Sequence, residues 1–262
     1  MPTELYSTTG LLEAPLVQPD GGVLFSNVTG GGVFRHHGGE TTTVVDRRRG
    51  IGGLAQHADG GLIVTGRDLA YADADGLHTV LTVDGATGFN DVAVGPDGSF
   101  YVGVLHHRPQ QGESAGPSAV LRLDPTGAVT TAAADIRWPN GIGFSPDHRT
   151  LYVCEYAESR VLAVHDGHTR VFATAPTGEC DGLAVDAEGG VWVALGSGSA
   201  VARFTAAGTL YKTITLPDGF VSSVALHDTT LYITTSGRLL SENVDIPGLP
   251  VPSTRIPHDI AA

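Results

Sequence analysis

The sequence predicts an all-β fold, a six-bladed β-propeller whose four-stranded antiparallel blades surround a central channel. The 36 glycines and the charged fraction of only 16% favour many tight turns over long helices. Short apolar runs such as VLRL, VARF and RVLAV are rich in β-branched residues and end at Gly, Pro or Asp. No stretch keeps a 3.6-residue period over three turns. A chain of 262 residues of this type is expected to form one domain over residues 1–262.

A repeat of about forty residues predicts the blade architecture. Six segments share an apolar run, an acidic turn and a second apolar run, and they begin at Glu13, Gly52, Asn90, Asn140, Asp181 and Val221. Their turn acids are Asp20, Asp59, Asp97, Asp147, Glu188 and Asp228, separated by 39, 38, 50, 41 and 40 residues. This is the period of a propeller blade, so six units predict six blades. The longest gap contains the polar segment HHRPQQGESAGPS at 106–118, which indicates an inserted loop.

The closure of the ring has two alternatives. The segment TELYST precedes the first repeat and is a candidate outer strand for the last blade. The late segment GLPVPSTRI is a second candidate for the same role. The pattern does not choose between them.

The charge balance bears on partners and location. The net charge is −13 and the one basic run is Arg47-Arg48-Arg49, which argues against nucleic acid and anionic membranes as partners. The N-terminus lacks the features of a signal peptide, and no apolar run approaches the ~18 residues of a membrane span. Cys154 and Cys180 do not make a disulfide framework. We therefore expect a cytoplasmic protein, a monomer or weak homo-oligomer, that acts on a small molecule.

Oxygen-bearing side chains recur at one position of the repeat. Seven residues before the turn acid stand Glu13, Asn90, Asn140 and Asp181, while the other two repeats have Gly52 and Val221 there. The first strand of each blade lies nearest the axis, so these four side chains converge at one mouth of the channel. Two carboxylates and two amides form the all-oxygen donor set that hard divalent cations prefer.

A turn is the competing interpretation of these residues. Asn140-Gly141 and Asp181-Gly182 are typical turn dipeptides. Glu13 and Asn90 are not followed by glycine, and all four share one register. The shared register favours a metal site.

The second strand of each blade returns to the same mouth. Its end residues are Asn27, Arg67, His106, His107, Glu155 and Ser236. Among these, Arg67, His106 and Glu155 are predicted to contact substrate together with Asn90. The four core positions contain no His or Cys, which disfavours a typical zinc site. A nucleophile elbow, a Walker loop and a dinucleotide fingerprint are absent.

At these residues the chain resembles the SMP-30/gluconolactonase/LRE family of six-bladed propellers. The matching pieces are E-A-P at 13–15, F-N-D at 89–91, P-N-G at 139–141, D-G-L-A-V-D at 181–186 and I-P-G-L-P at 246–250. The resemblance implies that Glu13, Asn140 and Asp181 bind one divalent metal, with Asn90 a fourth ligand or a substrate contact. It implies Ca²⁺ as the ion, with Zn²⁺, Mn²⁺, Mg²⁺ or Fe²⁺ as alternatives. The implied activity is hydrolysis of a lactone or ester, in which the metal activates water and polarises the carbonyl. Asp181 is our hypothesis for the general base.

One departure from the family concerns the substrate. Sugar-lactone members carry Arg-Phe-Asn-Asp, whereas this chain has Gly88-Phe89-Asn90-Asp91. The mouth is also edged by the apolar residues Ile51, Phe220, Val104 and Leu105. We therefore expect a less hydroxylated lactone or ester, with Arg67 as a candidate replacement for the missing donor.

Two alternatives to a hydrolase stay open at this point. The segment LYVCEYAESRV is similar to strictosidine-synthase-like propellers, which favours a non-hydrolytic reaction (a cyclisation, isomerisation or lyase step) on the same metal site. A non-catalytic binding propeller is the other alternative. The constellation of acids and amides argues against it.

Overall fold

The structure is a computed structural model that describes residues 2–258. In chain order its strands are β1 (Thr3–Val17), β2 (Val23–Asn27), β3 (Val33–His37), β4 (Glu40–Val45), β5 (Leu54–Gln56), β6 (Leu62–Val64), β7 (Leu69–Asp73), β8 (Gly76–Leu81), β9 (Gly88–Val94), β10 (Phe100–Leu105), β11 (Pro117–Leu123), β12 (Val129–Arg137), β13 (Pro139–Phe144), β14 (Leu151–Glu155), β15 (Arg160–His165), β16 (His168–Thr174), β17 (Leu183–Val185), β18 (Val191–Ala194), β19 (Ala200–Phe204), β20 (Leu210–Thr215), β21 (Val221–His227) and β22 (Thr230–Asn243). Two short 3-10 helices cover Pro109–Gln111 and Tyr156–Glu158.

The all-β propeller is confirmed, but the prediction of six blades is wrong. Residues 2–258 form five hydrogen-bonded sheets, which are the blades. Four sheets have four antiparallel strands in the orders β5-β6-β7-β8, β12-β11-β10-β9, β13-β14-β15-β16 and β17-β18-β19-β20. The fifth sheet has six strands in the order β21-β22-β1-β2-β3-β4 and contains both the first and the last repeat.

The length of β1 is the reason for this merger. Its N-terminal part pairs with β22, from Thr3 opposite Ser241 to Leu11 opposite Ser236, and its C-terminal part pairs with β2. The segment TELYST is therefore the one that joins the last repeat, as the first alternative expected. The late segment GLPVPSTRI contributes only isolated bridges, between Gly248 and Asp186 and between Thr254 and His57.

The first strands of all six repeats still surround the axis. The C-terminal part of β1 contacts β5 and β21, and the contacts continue from β5 to β9, β13, β17 and back to β21. This ring encloses a cavity of about 420 Å³ lined by Leu54, Val92, Ile142 and Leu183 among others. The site at the mouth is thus built from strands that lie far apart in the chain.

The hydrophobic core lies between neighbouring blades. The largest cluster joins Tyr152 and Phe172 of one sheet to Val193 and Phe204 of the next. Cys154 and Cys180 are free thiols buried in this same cluster. No helix among residues 2–258 is long and apolar enough to cross a membrane.

Candidate active site

β-Bulges lie beside three of the four predicted ligands, Glu13, Asn90 and Asn140, whereas Asp181 precedes β17, whose pairing has no bulge. The pairing of β13 with β14 jumps from Pro139 opposite Glu155 to Ile142 opposite Val153, so Asn140 and Gly141 together oppose one residue. The pairing of β9 with β10 likewise opposes Asn90 and Asp91 to Gly103. In β1 the register shifts directly after Glu13. A bulge changes the direction of the side chains beside it, and here it does so in each strand that carries a predicted ligand.

The Asn-Gly and Asp-Gly dipeptides are not turns. Asn140 lies inside β13, and neither Gly141 nor Gly182 has a left-handed φ. A β-carbon on Gly141 would lie 2.4 Å from the amide nitrogen of Leu183, and one on Gly182 would lie 2.1 Å from the Ser223 hydroxyl. The glycines allow the first strands of adjacent blades to approach closely. The turn interpretation of Asn140 and Asp181 therefore fails.

One pair of predicted ligands, from adjacent blades, is joined by a hydrogen bond. Asn140 donates a hydrogen bond from Nδ2 to Oδ1 of Asp181. Asn90 donates from Nδ2 to the carbonyl oxygen of Pro139 at 3.1 Å. Gly52, at the equivalent position of the second repeat, leaves space for this amide, because a β-carbon there would lie 2.5 Å from Asn90 Oδ1.

The buried carboxyl groups of Glu13 and Asp181 and the half-buried one of Asp91 lie close enough to interact electrostatically. Burial and then the negative charge of Asp91 raise the pKa of Glu13 well above its usual range. Burial, followed by the charges of Glu13 and Asp91, raises the pKa of Asp181 well above its usual range. Burial raises the pKa of Asp91 to about 7. Within residues 2–258 no lysine or arginine forms an ion pair with any of the three, so only bound protons or a cation can offset their charge.

Asp91 is the site residue that the sequence reasoning missed. Strand alternation would place it on the face opposite Asn90, but the bulge in β9 removes that alternation. Its Oδ1 accepts a hydrogen bond from the Val92 amide at 2.7 Å, and it lines the cavity inside the ring, which none of the four predicted ligands lines. The signal was present in the string F-N-D, where an acid follows the predicted ligand directly.

The predicted substrate contacts have three different surroundings. Arg67 is exposed, and no hydrogen bond or ion pair of its side chain occurs among residues 2–258. His106 is exposed, with Nδ1 lying 3.1 Å from the carbonyl oxygen of Gly85. Glu155 is buried, and it accepts hydrogen bonds from the Arg137 amide at 2.8 Å and from Arg160 Nε at 2.6 Å. Both carboxylate oxygens of Glu155 therefore accept hydrogen bonds from the protein itself.

Two other residues that end second strands also have structural contacts. Asn27 donates from Nδ2 to the carbonyl oxygen of Thr9 and accepts from the Gly30 amide. Ser236 lies at the junction where β22 pairs with Leu11 of β1. Both support the merged sheet.

Steric exclusion explains why this chain has glycine at position 88. A β-carbon at this position would lie 2.9 Å from the carbonyl oxygen of Gly66, which accepts a hydrogen bond from the Phe89 amide at 2.7 Å. The same β-carbon would lie 4.0 Å from the α-carbon of Arg67. The loop that carries Arg67 thus occupies the space where a side chain at position 88 would begin.

Two aromatic residues at the mouth were also missed. Trp138 precedes the P-N-G string, and Tyr156 follows Glu155 at the end of β14. Their rings lie 4.3 Å apart, and the Tyr156 amide donates to the carbonyl oxygen of Trp138 at 3.1 Å. Burial and the charges of Asp181, Glu179 and Glu13 raise the pKa of Tyr156, which indicates that its hydroxyl is close to the carboxyl cluster.

The donor set at the mouth fits a hard divalent cation. Glu13 and Asp181 supply carboxylate oxygens, Asn90 and Asn140 supply amide oxygens, and the uncompensated charge supplies the attraction. A second group that resembles a metal site consists of His57, Asp59 and His258. It lies where β5 ends, and both ring nitrogens of His57 have partners, the Asp59 amide at 3.1 Å and the carbonyl oxygen of Ile256 at 2.9 Å. A cation at this second group would therefore have to displace one of the hydrogen bonds of His57.

The family assignment follows from comparison with known proteins. Residues 11–237 match the SMP-30/Gluconolactonase/LRE-like region. The chain belongs to this family. The match includes all four predicted ligands, so the resemblance inferred from their motifs is confirmed.

Several relatives of this SMP-30/gluconolactonase family chain are named lactonases. It is 31% identical to the pentonolactonase XacC of Haloferax volcanii over 71% of this chain and 67% of that protein. It is 31% identical to the 6-deoxy-6-sulfogluconolactonase of Pseudomonas putida over 76% of this chain and 72% of that protein. A gluconolactonase structure from Xanthomonas campestris superposes with a TM-score of 0.80 at 27% identity, covering 94% of this chain and 88% of that one. The chain is accordingly an enzyme of the lactonase class.

Proposed function

We propose that this enzyme hydrolyses a lactone at the mouth formed by Glu13, Asn90, Asn140 and Asp181, with one divalent cation held by these residues. The observation that carries the proposal is the cluster of buried carboxyl groups without a protein counter-ion. Burial of such a cluster destabilises the fold unless a cation or protons neutralise it. A cluster of buried acids that is kept although it lowers the stability of the fold is typical of a functional site.

The ligand assignments follow from the donor chemistry. Glu13 and Asp181 are the anionic ligands, and Asn140 is the amide ligand that also orients Asp181 through its Nδ2. Asn90 is a fourth ligand or a contact to the substrate. Because all four donors are oxygens, Ca²⁺ is the proposed ion, and Mg²⁺ and Mn²⁺ are the nearest alternatives.

The chemistry divides between the ion and the chain. When bound, the cation polarises the lactone carbonyl and makes a nearby water more acidic. Asp181 accepts the proton of the attacking water, and its hydrogen bond from Asn140 holds the carboxylate in one orientation. The alkoxide that leaves when the ring opens then needs a proton, which the protonated Asp181 is placed to return.

The substrate class is supported by the relatives. Those with 31% identity act, by their names, on a pentonolactone and on a sulfogluconolactone. We therefore propose a γ- or δ-lactone. The bulged strands, the donor set and these relatives support the same assignment.

Hydrolysis of a panel of γ- and δ-lactones and aryl esters tests the proposal. The protein is treated with a chelator and assayed, and Ca²⁺, Mg²⁺, Mn²⁺ and Zn²⁺ are then added back separately. We expect activity on a lactone that disappears with the chelator and returns with a divalent ion. Full activity in the chelated protein would overturn the metal dependence, and a metal-loaded protein that opens no lactone in the panel would overturn hydrolysis.

A further inference from the structure

Three aromatic rings form a continuous row beside the carboxyl cluster. The ring centroids of His107 and Trp138 are 4.7 Å apart, with planes at 69°, and those of Trp138 and Tyr156 are 4.3 Å apart. Trp138 stands two residues before Asn140, and the Tyr156 hydroxyl is close to the charges of Asp181 and Glu13. We name His107, Trp138 and Tyr156 the aromatic row. Its Tyr156 end lies nearest the carboxyl groups, and His107 lies at the other end.

Each ring of the aromatic row carries a polar atom without a protein partner. Among residues 2–258 no group hydrogen-bonds the Tyr156 hydroxyl or Trp138 Nε1, and both side chains are half-exposed. His107 is only 4% exposed, and its Nε2 is the one buried side-chain nitrogen or oxygen in the described part of the chain that lacks a partner. Buried polar groups are nearly always hydrogen-bonded, so this atom indicates a partner that the protein itself does not supply.

The backbone around the row is strained at one residue and held by hydrogen bonds on both sides. Trp138 has a φ of 63°, a left-handed conformation that is costly for a bulky residue. Glu155 accepts hydrogen bonds from the Arg137 amide and from Arg160 Nε, and so fixes the chain on both sides of the Trp138 and Tyr156 pair. Strain supported in this way is typical of functional sites.

We propose that the aromatic row is a substrate subsite that selects lactones carrying oxygen substituents away from the ester carbonyl; this rests on the lactonase function proposed above. The faces of Trp138 and Tyr156 pack against the C–H face of the ring, and their unpaired donors bind its hydroxyl oxygens. His107 Nε2 binds the oxygen farthest from the carbonyl. The subsite reverses the expectation, drawn from Gly88, of a less hydroxylated substrate. The donor lost at position 88 is replaced by groups on the same blade and on its neighbour, since His107 follows β10, the partner strand of β9, and Trp138 precedes β13.

Two γ-lactones that differ only in hydroxylation test the subsite. They are ribono-1,4-lactone, which carries hydroxyls, and γ-butyrolactone, which carries none. The variants are Tyr156→Phe, which removes only the hydroxyl, and Trp138→Phe, which keeps a ring but removes Nε1. Tyr211→Phe is the matched control, because Tyr211 is 66% exposed on the outer strand β20.

The readout is the ratio of kcat/KM for the hydroxylated lactone to that for the unsubstituted one. Loss of one hydrogen bond predicts a ratio about tenfold lower in Tyr156→Phe and in Trp138→Phe, mainly through KM, and an unchanged ratio in Tyr211→Phe. An equal fall on both lactones would show a structural role only and overturn the subsite. An unchanged ratio would overturn it as well.

A binding experiment separates failure of the subsite from failure of the hydrolase. Calorimetric titration of Asp181→Asn with the same two lactones measures binding without turnover. Tighter binding of ribono-1,4-lactone that is lost in Asp181→Asn/Tyr156→Phe supports the subsite, even if the wild-type protein hydrolyses neither lactone. Equal binding of the two lactones to Asp181→Asn overturns the subsite, whatever the outcome of the activity panel.

Discussion

Asn140 donates a hydrogen bond from its side-chain amide to the carboxylate of Asp181, and this bond joins the first strands of two adjacent blades. The two residues are 41 positions apart, which is one repeat of the chain. The backbones approach equally closely, since the Gly141 amide donates to the carbonyl oxygen of Asp181 at 3.0 Å. Architecture and site are therefore built by the same contact, and changes to one are expected to affect the other.

Replacing Asp181 by Asn is predicted to abolish turnover and to stabilise the metal-free fold. The variant removes the proposed base, for which a loss of about 10²- to 10⁴-fold in kcat is typical. It also removes a buried charge that Glu13 and Asp91 repel, so we expect a gain of about 1 kcal/mol and a melting temperature about 2–4 °C higher. Lactone hydrolysis and thermal unfolding in chelator check both parts. An active variant would contradict the assignment of the base.

The stability of the metal-free protein is predicted to fall as the pH rises from about 4 to about 7. The pKa of Asp91 is about 7 in the folded protein against an ordinary value of 3.8, so the folded state binds more protons than the unfolded state in this window. Stability then decreases with rising pH, by at most about 1.4 kcal/mol per pH unit for one group. Urea unfolding of wild type and Asp91→Asn in chelator isolates the effect. A steeper decline in Asp91→Asn than in wild type would contradict it.

Divalent cations are predicted to stabilise the wild-type protein and to have little effect on Glu13→Gln. A ligand that binds only the folded state adds about 2.7 kcal/mol at a concentration one hundred times its Kd. Removal of one anionic donor weakens the site and relieves the repulsion that the ion offsets. Thermal melts with increasing Ca²⁺ measure the shift. Asp59→Asn, which changes the group at His57 and His258, serves as the control and should keep the full response.

Gly141→Ala is predicted to destabilise the fold and to reduce activity in the molecules that still fold. The added methyl group would lie 2.4 Å from the Leu183 amide nitrogen and 2.6 Å from the Asp181 carbonyl oxygen, so the two strands must separate. Overpacking of this kind costs about 1–3 kcal/mol. The matched control is Gly116→Ala, because no atom lies within 4 Å of a β-carbon there and the φ of Gly116 is not left-handed. Equal melting temperatures for the two variants would refute the close-approach argument.

Arg203→Met is predicted to lower the free energy of unfolding without changing the candidate active site. Arg203 and Asp186 are both buried, with Nε donating to Oδ2 at 2.7 Å, and the same oxygen accepts from Trp192 Nε1 at 2.9 Å. Loss of the arginine leaves a buried carboxylate without its cation, for which about 3–5 kcal/mol is typical. Chemical denaturation measures the loss. Arg170→Met, at an exposed arginine, is the control and should stay within about 0.5 kcal/mol of wild type.

The chain read alone was sufficient for the β class and the repeat, and it predicts four ligand positions. These properties are periodic and local, because alternation, turn residues and a forty-residue spacing are visible without knowledge of any contact. Glu13, Asn90, Asn140 and Asp181 are predicted as ligands because they occupy one register of that repeat.

Pairing between distant segments decided the rest. The merger of the first and last repeats depends on β1 continuing from one partner strand to another, which no local pattern encodes. The bulge in β9 brings Asp91 to the site beside Asn90, although alternation predicts opposite faces. The loop at Gly66 excludes a side chain at position 88, and the rings of His107, Trp138 and Tyr156 meet only because three separate segments converge. Hydrogen-bond register and steric exclusion between segments are properties of the folded ring, so only the tertiary structure reveals them.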